Sequence, residues 1–210
     1  MDFKYKNIGL AGVAGCGKNT IADILTLFFN RLHIPTQQLS IANNLKKELV
    51  ESSKELYGID SLNCSREEKD IIRPFLVAHG KIKRNLSNGR YWVEKLNKDL
   101  NSEKINIITD VRFNEYEKDE TFWIKNEING ILIHVSRYEE LKRLSQEGLE
   151  GERVFIKPAN KEEEENDPKL KEKADFLLNW PTVTNNNLKI FHCRKLLNWL
   201  KNTYAPRQLP

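Results

Sequence analysis

Hydrophobic and polar positions switch between two periods along this chain, and the switches mark its elements. Ile8 to Ala11 is a short apolar run, the pattern of a strand covered on both faces. Ile21, Ile24, Leu25, Phe28 and Leu32 then recur at spacings of three and four, which predicts a helix lying on a sheet. Pro35 ends that connection, and Gln37 to Ile41 predicts a second strand. A helical pattern follows to about Leu56, then a loop from Gly58 to Ser65. Ile72, Phe75, Leu76 and Val77, then Trp92, Val93 and Leu96, predict two helices with a turn near Ser87-Asn88-Gly89. Further strands are predicted over Lys104 to Thr109, Ile131 to Val135 and Ala174 to Leu178. Between the last two, Tyr138 to about Gln146 predicts a helix. Residues 147–168 are polar with few apolar anchors, which predicts a mobile lid or loop. Leu188, Phe191, Leu196, Trp199 and Leu200 form the stripe of a closing helix, and Pro206 to Pro210 a frayed tail.

Strands alternating with helices predict a three-layer α/β fold with a mostly parallel five-stranded sheet and a crevice at the strand C-termini. The expected organisation is one domain over 1–210, with a helical insertion at about 43–100 and a lid region at about 137–168. Composition narrows this picture only a little. The 210 residues are 30% charged with mean hydropathy −0.61, and no run of about 18 apolar residues exists to span a membrane. Met1 to Lys6 carries no apolar signal core. A cytoplasmic protein without a membrane partner is expected. The net charge of +4 fits small polyanionic ligands. Cys16, Cys64 and Cys193 lack metal-ligand spacing, so free thiols are expected.

The chemistry is concentrated in Gly12-Val13-Ala14-Gly15-Cys16-Gly17-Lys18-Asn19-Thr20. Strand, glycine-rich turn and helix in this order make a P-loop, whose backbone N–H groups and helix N-terminus cradle phosphates. Gly12, Gly15, Cys16, Gly17, Lys18, Asn19 and Thr20 are the expected ATP-binding residues. Asn19 stands where the strict motif has Ser or Thr, and the hydroxyl comes at Thr20, the expected Mg²⁺ contact. Cys16 lies beside a helix N-terminus and Lys18, which predicts a depressed thiol pKa and loss of nucleotide binding on alkylation. Asp110 ends a buried strand and is expected to orient the Mg²⁺ shell. Arg112 lies two residues on.

Seven cations occupy positions 66–90: Arg66, Lys69, Arg73, Lys81, Lys83, Arg84 and Arg90. Phosphoryl transfer gives them a purpose, because several phosphate charges must be held together. A solvated basic face is the plain alternative. Lys46, after the second predicted strand, is a further cation over the crevice. Arg153 and Lys157 are candidate lid cations, and the run Glu162 to Glu165 is expected to be solvated and away from phosphates.

Four motifs in order carry a resemblance: Gly17-Lys18-Asn19-Thr20-Ile21-Ala22-Asp23, Ile41-Ala42-Asn43-Asn44-Leu45-Lys46, Gly80 to Arg84 followed by Tyr91-Trp92-Val93, and Asp110-Val111-Arg112-Phe113-Asn114-Glu115. Together they resemble the phage-type deoxynucleoside monophosphate kinases and fall within residues 8–137. Asn43 stands where that family often has Asp, and the proline after Phe113 is absent. The resemblance implies ATP and Mg²⁺ as cofactors and transfer of the γ-phosphoryl group to a (deoxy)nucleoside monophosphate. It assigns Lys18, Asp110, Arg112 and the lid arginine Arg137 to catalysis. Lys46, Arg73, Arg84, Trp92 and Arg112 are assigned to the acceptor, with Tyr91 and Phe75 as other stacking candidates. It also suggests a phage or viral origin, with the host cytoplasm as location; a homodimer is compatible with it. Other readings stay open: another small-molecule P-loop kinase such as a phosphomevalonate kinase, a non-catalytic nucleotide-binding protein, or a nucleic-acid binder using residues 66–90. The expected partners are small nucleotides, not nucleic acid.

Overall fold

The computed structural model describes residues 5–145 and 148–204, without the side chains of 142–150. The expected tail at Pro206 to Pro210 lies outside the described residues. In chain order the elements are β1 (Asn7–Ala11), α1 (Lys18–Arg31), β2 (Thr36–Ser40), α2 (Ile41–Tyr57), α3 (Arg66–Leu86), α4 (Arg90–Asn97) and β3 (Ile105–Val111). Then come α5 (Glu120–Phe122), which runs into a π-helical turn (Trp123–Glu127), β4 (Gly130–Ser145), β5 (Gly148–Phe155), α6 (Lys161–Lys173), β6 (Phe176–Pro181) and α7 (Asn186–Tyr204).

Five strands form a parallel sheet in the order β2-β3-β1-β4-β6. Both faces are covered, which is why its central strands are mostly apolar, with the buried Asn7 and Asn106 bonded to each other. On one side α1 and α7 pack Ile21, Leu25, Phe29, Leu196 and Leu200 against Ile8, Leu10, Ile107 and Ile133. On the other, Trp92, Val93, Leu96, Trp123 and Leu170 cover Ala11, Ile108, Val111 and Leu132. The predicted stripes are offset from the buried faces. In α1 Phe29 is buried while Leu32 is exposed, and in α7 Leu188 and Phe191 are exposed while Cys193 and Tyr204 are buried.

Local chemistry sets the helix ends near the crevice. The Ser40 hydroxyl accepts Asn43 N–H and starts α2. Ser65 and Glu68 close a capping box at α3. α3 runs unbroken through Pro74. At Gly80 a Cβ would lie 2.7 Å from Leu45 Cδ1, so the missing side chain lets α3 close onto α2.

Two expectations are corrected. The predicted helix from Tyr138 is instead the outer half of a 16-residue strand, β4, which turns back antiparallel as β5. Tyr138 meets Phe155 edge-on at 5.5 Å and takes Arg153 over its ring at 4.8 Å, cross-strand contacts that a local pattern cannot reveal. Arg153 also lies 3.9 Å from Glu140. The expected lid loop at 147–168 is instead β5, a short link and most of α6. Asn160 caps α6 by accepting Glu163 N–H, and Glu162, Glu163 and Glu164 fill its first turn, where the helix dipole favours negative charge.

Candidate functional site

The loop from Gly12 to Gly17 runs from the end of β1 into α1. Gly12, Gly15 and Gly17 all have positive φ, at 132°, 78° and 97°, conformations open to glycine at little cost. A Cβ on Gly17 would lie 2.2 Å from the Trp180 ring. The Trp180 indole also donates to Cys16 O at 2.9 Å, so β6 holds the loop's shape.

β3 positions the acid. Between Gly9 and Ala11 of β1, β3 contributes one extra residue: its partners are Ile108 and Val111. The bulge comes at Asp110, whose φ is +65°, a left-handed conformation that Asp tolerates better than most residues. The extra residue resets the alternation of faces. Val111 joins the core beside Ile108, and Asp110 faces the cavity. Its carboxylate accepts from Ser40 Oγ at 2.7 Å and from Arg112 Nη2 at 3.4 Å. Burial alone would raise its pKa, but Arg112, Ser40 and Lys18 hold it below the ordinary carboxylate value.

The cavity at the strand C-termini measures about 1040 Å³. It brings together Gly15, Gly17, Lys18, Asn19, Thr20, Lys46, Arg73, Arg84, Trp92, Asp110 and Arg112. Gly12, Cys16 and Arg137 do not line it. Gly12 packs against the Val135 carbonyl, which a Cβ would meet at 2.3 Å. Arg137 sits in β4 opposite Trp180, and its Nε is buried without a hydrogen-bond partner. The Cys16 expectation is corrected: its side chain is 0% exposed in the core, and burial pushes its thiol pKa up, against the smaller lowering by Lys18.

The charged groups fall into two sets. Lys18, 5% exposed, folds back and donates to Gly12 O at 2.7 Å and Val13 O at 3.0 Å. Burial lowers its ammonium pKa, an effect that Cys16 partly offsets. Arg112 donates through Nη1 to Glu163 Oε1 at 2.5 Å. Farther along, Lys46 and Lys69 line the cavity and form no ion pair with the described residues. Burial, then the like charge of Lys69, lowers the Lys46 pKa. Arg73 is exposed and pairs with Asp70.

Arg84 is a different case from the one expected. It is 5% exposed and grips Asp119 with two bonds of 3.0 and 2.9 Å, Glu115 at 3.2 Å and Glu120 at 3.4 Å. Its guanidinium lies 3.8 Å over the Phe113 ring. Its donors tie α3 to the segment after β3, so a phosphate would have to compete with three carboxylates. Trp92 is likewise a core residue, 3% exposed, bonded to Gly80 O.

The sequence reasoning missed Ser40, Trp180 and Glu163, and named Lys69 only as one of seven cations over 66–90. Ser40, as a residue before a helix, had a local signal as a cap. Glu163 had none, and it corrects the expectation of a solvated glutamate run. Glu163 is buried against the loop, with Glu164 and Glu165 exposed. Among the described residues no group of three or more His, Cys, Asp and Glu could hold a metal ion, and no helix is long and apolar enough to cross a membrane.

No protein-family model matches the chain, and no curated protein matches it. Among solved structures it is similar to a dephospho-CoA kinase from Campylobacter jejuni, 18% identical over 96% of this chain and 98% of that one, with a TM-score of 0.38.

Proposed function

We propose that the protein is a small-molecule kinase that transfers the γ-phosphoryl group of ATP to a deoxynucleoside monophosphate. One observation carries this reading: a single cavity joins two separate cationic stations, the loop with Lys18 and the pair Lys46 and Lys69. Two phosphate-bearing molecules brought together need such a cavity. An apolar wall of Leu45, Leu76, Val77, Trp92 and Phe113 beside the second station suits the flat body of a base. A nucleotide-binding protein without turnover has no need of the second station.

In this reading the amides and Lys18 of the loop hold the ATP phosphates. The Thr20 hydroxyl and Asp110 carboxylate are hard oxygen donors suited to Mg²⁺, which favours few protein ligands alongside phosphates and water. Bound there, Mg²⁺ would neutralise phosphate charge. Arg112, next to Asp110, is placed to neutralise the transferring group. Lys46, Lys69 and Arg73 bind the acceptor's phosphate. That phosphate is ionised at neutral pH, so no general base is required. Arg137, at the base of the β4–β5 arm and outside the cavity, would reach the phosphates only if that arm moved toward them.

The test is ADP release with Mg-ATP across deoxynucleoside and ribonucleoside monophosphates and phosphomevalonate, with Lys18→Ala as control. Turnover on one or more deoxynucleotides, falling about a hundredfold or more in the variant, supports the proposal. Turnover only on another phosphorylated acceptor keeps the kinase and replaces the substrate. ATP binding with no turnover on any acceptor overturns it.

A further inference from the structure

We propose that Glu163 is a built-in occupant of the phosphate loop, displaced when nucleotide phosphates arrive; this rests on the reading of the loop as an ATP site. Ala14 N–H, from the loop itself, donates to Glu163 Oε2 at 3.1 Å. Arg112 Nη1 donates to the other oxygen, Oε1. A loop amide and a guanidinium are the donors that a phosphate oxygen takes, and here a carboxylate takes both.

Holding α6 in place does not require this contact. Leu170 is buried in the core. Asn166 accepts Asn114 N–H at 3.0 Å and donates to Glu115 at 2.9 Å. Asp167 bonds the buried His134 at 2.9 Å. Those anchors lie on later positions of the helix. Glu163, on the first turn, is 6% exposed, and apart from its own segment's Ala159 N–H at 3.0 Å its side chain bonds only site groups. Lys18, meanwhile, is turned onto the loop carbonyls. The loop's cation and one of its amides are thus satisfied by groups of the protein itself.

A phosphate and a carboxylate repel, so they cannot share Ala14 and Arg112. Binding therefore requires Glu163 to leave these donors. The Arg112 guanidinium then keeps only its 3.4 Å contact with Asp110, and its Nη1 is open to a phosphate oxygen. The device weakens nucleotide affinity and couples occupancy of the loop to release of the first turn of α6.

Two measurements test this. Calorimetric titration of Glu163→Gln should show ATP and inorganic tripolyphosphate binding about tenfold tighter than to wild type, with adenosine unchanged. Unchanged or weaker phosphate binding would overturn the proposal and make Glu163 a fixed support for Arg112. Hydrogen exchange of the wild-type protein avoids any doubt about the variant's folding: tripolyphosphate should speed exchange at 159–164, whereas added protection there would overturn displacement. If the wild type binds neither ligand, both this inference and the loop reading fall. If it binds ATP but turns over no acceptor, the kinase reading alone falls.

Discussion

The two ends of the cavity solve the problem of buried charge in opposite ways. At the loop, Lys18 rests on Gly12 and Val13 carbonyls and Arg112 on Glu163 and Asp110. At the helical end, Lys46 and Lys69 form no ion pair with the described residues, and burial, then the like charge of Lys69, lowers the Lys46 pKa against a smaller opposing pull from Asp110. Arg84, which the sequence assigns to the same end, is consumed by Asp119, Glu115 and Glu120. The difference teaches that residue type alone does not identify a binding cation. What would mark one is a charge left unbalanced where a ligand fits, and by that criterion Lys46, already a candidate from the sequence, and Lys69 are better placed than Arg84 in the reading proposed above.

The strongest way to break this comparison is Arg84→Met. Removing one partner of a buried ion pair costs about 3–5 kcal/mol, so the variant should melt far below wild type. The sign of its pH dependence is defined. Burial, with Asp119 nearby, raises Glu120 to about 7, so the native state keeps a proton that the unfolded chain loses near pH 4.3. Such a group's stabilisation is complete below that value and is lost as pH climbs to about 7. Without Arg84, which holds it down, the Glu120 pKa rises further, so the deficit should be larger at pH 8 than at pH 6 by thermal melts. A variant as stable as wild type with a raised acceptor KM would return Arg84 to the binding set.

Asp110→Asn sharpens the loop end. The shape and the tolerance of left-handed backbone are kept while the charge goes. Turnover should fall about 10²–10³-fold with the fold intact. Asp110 is held below its unfolded pKa in the wild type, so its stabilisation is present above about pH 3.9 and lost as pH falls through the lower folded value. The Asn variant should lack that acid-side loss. Asp110→Ala should be about 1 kcal/mol less stable than Asp110→Asn, because Ala pays for the +65° φ.

What the sequence revealed follows from how far each contact reaches. The loop and Asp110 were legible because strand, glycine turn and helix are neighbours in the chain, as are a buried strand and the acid that ends it. Four of the sheet's five parallel strands were legible from their apolar runs, whereas β2, at the sheet's edge, has Leu39 as its one apolar residue. The β4–β5 arm was not, because Leu141 and Leu144 share the spacing of a helix face and only pairing with β5 decides between them. Glu163 was not, because it meets Ala14 across 149 positions and its local sequence reads as a solvated run. Arg84 was seen as a cation, but Asp119 and Glu120, its partners, lie in a short segment with no periodicity to announce it.

Lys46→Ala probes the other end. Loss of one charge-assisted contact to the acceptor's phosphate should raise acceptor KM about tenfold to a hundredfold, leaving the KM for ATP near its wild-type value. Lys69→Ala should act in the same direction but less strongly, and relief of repulsion should let the Lys46 pKa rise. If both variants bind acceptor like wild type, the unpaired cations are only a solvated rim.

The smallest effect concerns Cys16, where location and chemistry point in opposite directions. Its place in the loop predicts a reactive thiolate, since the start of α1 and Lys18 both favour negative charge. In the folded protein the side chain is wholly buried, and the desolvation that raises its pKa outweighs Lys18. The half-buried Cys64 should therefore react first with iodoacetamide, with Cys16 and Cys193 modified only as the chain opens. Peptide mapping over time reads this directly: Cys16 should label at the rate of Cys193, and added ATP should slow both together. Fast labelling of Cys16 alone would mean that the loop opens locally. The thiol's position in the loop would then govern its chemistry, as the sequence suggested.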